Sequence, residues 1–82
     1  MAWQEGHQHE AGKVIGQYAN YLEIGHNEHE FLFAFGQSYQ EEDYLRVHTR
    51  IVTGPVYAKA FLKLLHEALA QYEERFGTIN ES

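Results

Sequence analysis

Chemistry in this chain would have to come from its histidines, its carboxylates and one short cationic run. His26 and His29 stand with Glu28 and Glu30 in a turn, and two imidazoles with a carboxylate can bind Zn²⁺ with one coordination position left open. The spacing is loose and solvated turns collect His, Asn and Glu, so a solvated turn is the first reading and metal binding by His26 and His29 the second. His7 and His9, in the run HQH, fall in a segment without apolar periodicity, where no fold can hold a fixed ligand geometry. Arg46, His48 and Arg50 alternate along one strand and form a cationic stripe inside an acidic protein. That stripe suits Glu23 of the first strand, across the sheet, or carboxylates of a partner subunit, and beyond these a small anion. Lys59, near a helix N-terminus, either extends the anion site or pairs with the acidic run from Glu41 to Asp43.

Nothing else assembles into a reaction centre. There is no Cys, no nucleophile with an adjacent base and no phosphate-binding loop. The paired carboxylates, Glu28 with Glu30 and Glu41 with Glu42 and Asp43, sit in polar turns where nothing raises a carboxylate pKa. No catalysis and no cofactor are expected.

The elements that must position these residues follow from pattern. With 82 residues the chain is one domain at most, and a domain of this size buries roughly 60% of its unfolded surface. Without disulfides or thiolate metal sites, association with another copy is the reinforcement that remains. A formal charge of -6 repels a phosphate backbone, which argues against nucleic acid, while 44% hydrophobic and 15% aromatic residues specify a folded domain. The N-terminal run MAWQEGHQHEAGK has no basic flank followed by an apolar stretch, and no window approaches the ~20 apolar residues of a membrane span. A cytoplasmic protein without membrane contact is the default.

Residues 1–16 read as a flexible tail with Trp3 as its one large apolar residue, residues 17–79 as the domain, and residues 80–82 as a C-terminal tail. The run YANYLEIGH predicts a first strand ending in a turn at Gly25-His26-Asn27. In EFLFAFGQSY, Phe31, Phe33 and Phe35 share one face and Leu32 and Ala34 the other, so this strand is central and needs cover on both sides. The third strand, LRVHTRIVT, sets Leu45, Val47, Thr49 and Ile51 against Arg46, His48, Arg50 and Val52. Thr53 is the expected N-cap, Pro55 fits the first helical turn, and Ala58, Phe61, Leu62, Leu65, Ala68, Leu69, Tyr72 and Phe76 form one apolar stripe that Gly77 terminates. The fold class is α+β, a three-stranded antiparallel meander followed by one long amphipathic helix.

Two features of that arrangement predict self-association. A helix of roughly 33 Å overhangs strands of roughly 25 Å, and one helix covers one face of a sheet whose central strand is apolar on both. A homodimer, with sheets face to face or edge to edge, supplies the cover.

The run QYANYLEIGH, then EFLFAFGQ, then RVHTRIVTGPVYAKAFLKLLHEALAQYEERFG resembles the domain of unknown function 3467 family, small bacterial and archaeal domains. The resemblance runs from Gln17 to Ile79 and rests on Tyr18, Asn20, Glu30, Phe31, Phe35, Val47, His48, Arg50, Pro55, Ala58, Lys59, Leu65, Tyr72, Glu73 and Gly77. It implies this fold and carries no activity to transfer.

Three functions are therefore expected, in this order. The first is a non-enzymatic, homo-oligomeric protein-interaction module, a dimer before a larger assembly, using Phe31, Phe33, Phe35, Phe61, Tyr72 and Phe76. The second is a peptide-holding, chaperone-like protein with an apolar groove beside Phe31, Phe33 or Phe61. The third is a small-anion or metal-responsive regulator using Arg46, His48, Arg50 and Lys59, or His26 and His29.

Overall fold

Alternation at period two and then at period 3.6 produces the elements in the expected order. A computed structural model describes residues 14–39 and 44–81: strands β1 (Tyr21–His26), β2 (Phe31–Tyr39) and β3 (Tyr44–Thr53), then helix α1 (Pro55–Phe76). The expectations for Trp3, His7, His9, the acidic run at residues 40–43 and Ser82 lie outside the described residues. The sheet is antiparallel with β2 in the centre, order β1-β2-β3, so the fold is the α+β meander and helix read from the sequence.

The first hairpin turns over residues 27–30, so Gly25 and His26 of the expected turn belong to β1. The Asn27 N–H donates to the Glu30 carbonyl at 3.0 Å, and its side-chain oxygen accepts the N–H groups of His29 and Glu30 at 2.8 and 2.9 Å. A short amide side chain that satisfies two turn donors is what makes Asn a turn residue. At the other end β1 begins at Tyr21, three residues inside the expected run, yet Asn20 stays tied to β2. Its N–H donates to the Gly36 carbonyl at 3.0 Å, and its side-chain oxygen takes the Ser38 N–H at 2.8 Å.

Register assigns the faces. Ile24, Phe33 and Ile51 lie in one row, as do Leu22, Phe35 and Thr49, and His26, Phe31 and Thr53, so the three phenylalanines share a face. Leu32 with Val52, and Ala34 with Glu23 and Arg50, lie on the other. The clean alternation expected of β3 does not hold. Phe35 pairs with Thr49 while Gly36 pairs with Val47, which leaves His48 as an extra residue, a β-bulge. Val47 consequently shares a face with Arg50, and Arg46, opposite Gln37, falls on the phenylalanine face. The bulge presses β3 onto Gly36: a methyl there would overlap the Arg46 carbonyl oxygen and lie 2.9 Å from Val47 Cα.

Helix α1 has the expected bounds but not the expected cap. Thr53 is the last residue of β3 and Gly54 is the N-cap, with no side-chain hydrogen bond, so Pro55 alone preorganises the first turn. At the C-terminus Gly77 takes a φ of 100° and donates its N–H to the Glu73 carbonyl at 2.9 Å. The Glu73 carboxylate accepts the Ile79 N–H at 3.0 Å, which gives an acidic residue at the negative end of the helix dipole a local role.

The helix stands over the phenylalanine face, settling which face it serves. Its contact with the sheet is sparse and centred on Phe33 and Phe61, whose ring centroids are 5.3 Å apart. Ala34, at 4% exposure, is the one buried hydrophobic side chain among the described residues.

Gly36→Ala should lower the unfolding free energy by about 1–3 kcal/mol, because neither the bulged backbone nor the methyl can move aside. Gly25→Ala, which meets nothing within 4 Å, should cost far less, as compared by denaturant unfolding at one protein concentration.

Candidate interaction surface

Because Pro55 leads the chain straight from β3 into the helix, the first half of α1 leans over the phenylalanine face without closing on it. The gap is an apolar groove of about 500 Å³ lined by Ile24, Phe31 and Phe33 from the sheet and by Pro55, Ala58, Lys59, Phe61, Leu62 and Leu65 from the helix. Lys59 is the one charged residue in that lining. Beyond the groove the stripe continues through Leu69, Tyr72 and Phe76, which are 43%, 50% and 66% exposed. The Tyr72 and Phe76 rings lie 5.0 Å apart, and the Arg75 guanidinium lies 5.5 Å from the centre of the Phe76 ring.

The six residues expected to form one apolar surface thus fall into three places. Phe31, Phe33 and Phe61 line the groove, Tyr72 and Phe76 extend the helix past it, and Phe35 lies elsewhere. Phe35 borders a separate recess with His48, Thr49, Val14, Ile15, Gln17 and Ala19, where the segment before β1 crosses the phenylalanine face. His48 holds that segment. Its Nε2 is 3.0 Å from the Tyr18 carbonyl oxygen and its Nδ1 is 2.6 Å from Thr49 Oγ1. A ring with Nε2–H donating to the carbonyl and Nδ1 accepting from the Thr49 hydroxyl satisfies both contacts.

The cationic stripe is not assembled. The bulge at His48 leaves Arg46 and His48 on the phenylalanine face and turns Arg50 to the other, so these three side chains do not converge on one anion. Arg50 and Glu23 flank Ala34 in one row, as the structural reading of the stripe required, but form no ion pair. Lys59 borders the groove and belongs to neither position.

The histidine turn likewise fails to converge. The His26 ring stacks on Phe31 with centroids 5.3 Å apart, whereas His29 lies at the exposed hairpin tip with its Nε2 4.0 Å from the Glu28 carboxylate. Among the described residues no group of three or more His, Asp or Glu is placed to hold a metal.

Two features escaped the sequence reading. Gly36 inside the most apolar strand was the signal of a bulge opposite it, since a strand glycine commonly marks a close backbone approach. The His48 anchor had no signal of its own, because His48 reads as one position of an alternation.

The family model for proteins of unknown function designated DUF3467 matches residues 4–81, and the chain belongs to that family. No curated protein and no solved structure matches it.

His48→Phe keeps an aromatic ring in the recess but removes both hydrogen bonds. It should release the segment before β1, seen as faster amide exchange and proteolysis within residues 14–20, at a stability cost of about 0.5–1.5 kcal/mol.

Proposed function

We propose that this protein is a non-enzymatic interaction module that works as a homo-oligomer, with the dimer as its basic unit. The observation that carries the reading is the apolar surface that the protomer leaves open. Leu62, Leu65, Leu69, Tyr72 and Phe76 are all exposed on one helical stripe, and Ile24, Ile51 and Val52 are exposed on the two faces of the sheet. Burying a side chain of this size is worth about 1.5–3 kcal/mol, and a chain with one buried hydrophobic residue among those described forgoes most of that stabilisation alone.

The groove favours binding over catalysis, since its lining offers apolar atoms and a single ammonium group and no acid paired with a base. The charge of -6 speaks against nucleic acid. No helix among the described residues is long and apolar enough to cross a membrane, and we assign the module to the cytoplasm by default. Peptide holding is the second reading, favoured by the open groove between Phe33 and Phe61.

Light scattering across a dilution series should give twice the chain mass at high concentration. Leu69→Glu, on the part of the stripe outside the protomer's own groove, should shift the equilibrium toward monomer. A monomer at every concentration would overturn self-association and pass the groove to a peptide. A Leu69→Glu protein that dimerises unchanged would take the helix stripe out of the interface.

A further inference from the structure

Resting on that self-association, we infer that the second copy docks through an antiparallel pairing of α1 with its counterpart about a two-fold axis near His66. Leu69, Tyr72 and Phe76 of each copy then seat beside the open groove of the other.

The charge pattern of the helix is the first ground. Lys59 and Lys63 lie in its first half and Glu73 and Glu74 near its end, the reverse of what the helix dipole favours; Arg75 in the last turn and the Glu73 contact with the Ile79 N–H offset this only in part. Antiparallel pairing turns it into attraction. Lys59 and Glu73 lie seven residues either side of His66, and seven residues are two helical turns, so all three share one flank of the apolar stripe. In a two-fold antiparallel pair like flanks face each other, which sets Lys59 opposite the partner's Glu73 at both ends of the interface. On the other flank Tyr57 and Arg75, nine residues either side of His66, meet in the same way, ring to guanidinium.

The second ground is how the stripe is divided. Ala58, Phe61, Leu62 and Leu65 already line the protomer's own groove, while Leu69, Tyr72 and Phe76 lie outside it. A two-fold axis at the helix midpoint lays each free half against the half that flanks a groove. The contact is self-complementary and closes at two copies.

The chain has no cysteine, so single cysteines report the geometry directly. Full-length His66→Cys, Lys59→Cys and Glu73→Cys would each be treated with a short bismaleimide and resolved on a denaturing gel. In the antiparallel pair His66→Cys should cross-link with itself. Lys59→Cys alone and Glu73→Cys alone should not, because each lies about 21 Å along the axis from its own counterpart. An equimolar mixture of these two should cross-link. Equal self-linking at all three positions would mean parallel helices and would overturn the pairing. A dimer by light scattering with no link at position 66 would overturn it while leaving self-association intact, whereas a monomer would remove both.

Charge reversal gives an independent readout. Lys59→Glu and Glu73→Lys should each weaken self-association about tenfold at low salt, and mixing the two should restore it in a heterodimer whose facing charges are again opposite. No preference for the heterodimer would overturn the assignment of these flanks.

Discussion

The helix is held to the sheet by the Phe33 and Phe61 rings and by chain continuity through Gly54 and Pro55, and the rest of the architecture depends on how little that is. Proline sets the direction in which the helix leaves β3, and the ring pair fixes its distance from the sheet near its first turns. Past Leu65 the helix leaves the groove, and Leu69, Tyr72 and Phe76 stand exposed. The groove and the overhanging stripe are two aspects of one geometry: a rod tethered at one end above an apolar sheet. Small domains normally close such a gap with a second helix, a disulfide or a metal. The described residues form one helix, and the chain has no cysteine.

Within the sheet, two polar side chains stabilise backbone that the ladder leaves unpaired. Asn27 closes the first hairpin and Asn20 extends β1 by one side-chain rung to Ser38. His48 is in the same position from the other strand. As the extra residue of the bulge it is free of the cross-strand ladder, so its ring can reach over the face and hold the Tyr18 carbonyl. A histidine in an unbroken alternation would have pointed to the opposite face, away from the Tyr18 carbonyl.

The order of elements, the helix bounds and the central place of β2 were legible because each rests on a long, regular period or on a proline or glycine with one strong meaning. The faces of β3 were not. Period-two reasoning assumes that no residue is inserted, and a single bulge reverses every assignment beyond it. That is why Arg46, His48 and Arg50 read as a stripe and fold as two separate groups. The N-cap was misplaced for a related reason: Thr53 is a good capping residue, but its β-branched side chain also suits a strand, and the ladder reaches it first. Of the apolar surface, its residues were legible and its division was not, since parity cannot say where a helix stops leaning on its own sheet.

The meander has a kinetic consequence. Each strand pairs with its neighbour in the chain, and the β1–β2 hairpin is closed by a turn that Asn27 preorganises. Pairings this local have low contact order, and hairpins of this kind form in roughly 1–10 μs. Closing the groove over the phenylalanine face has no local route in the described chain, because no element after β3 and α1 comes back to cover it. In the proposed dimer, folding separates in time into a fast unimolecular phase that builds the sheet and a slower one, second order in protein, that dries its surface.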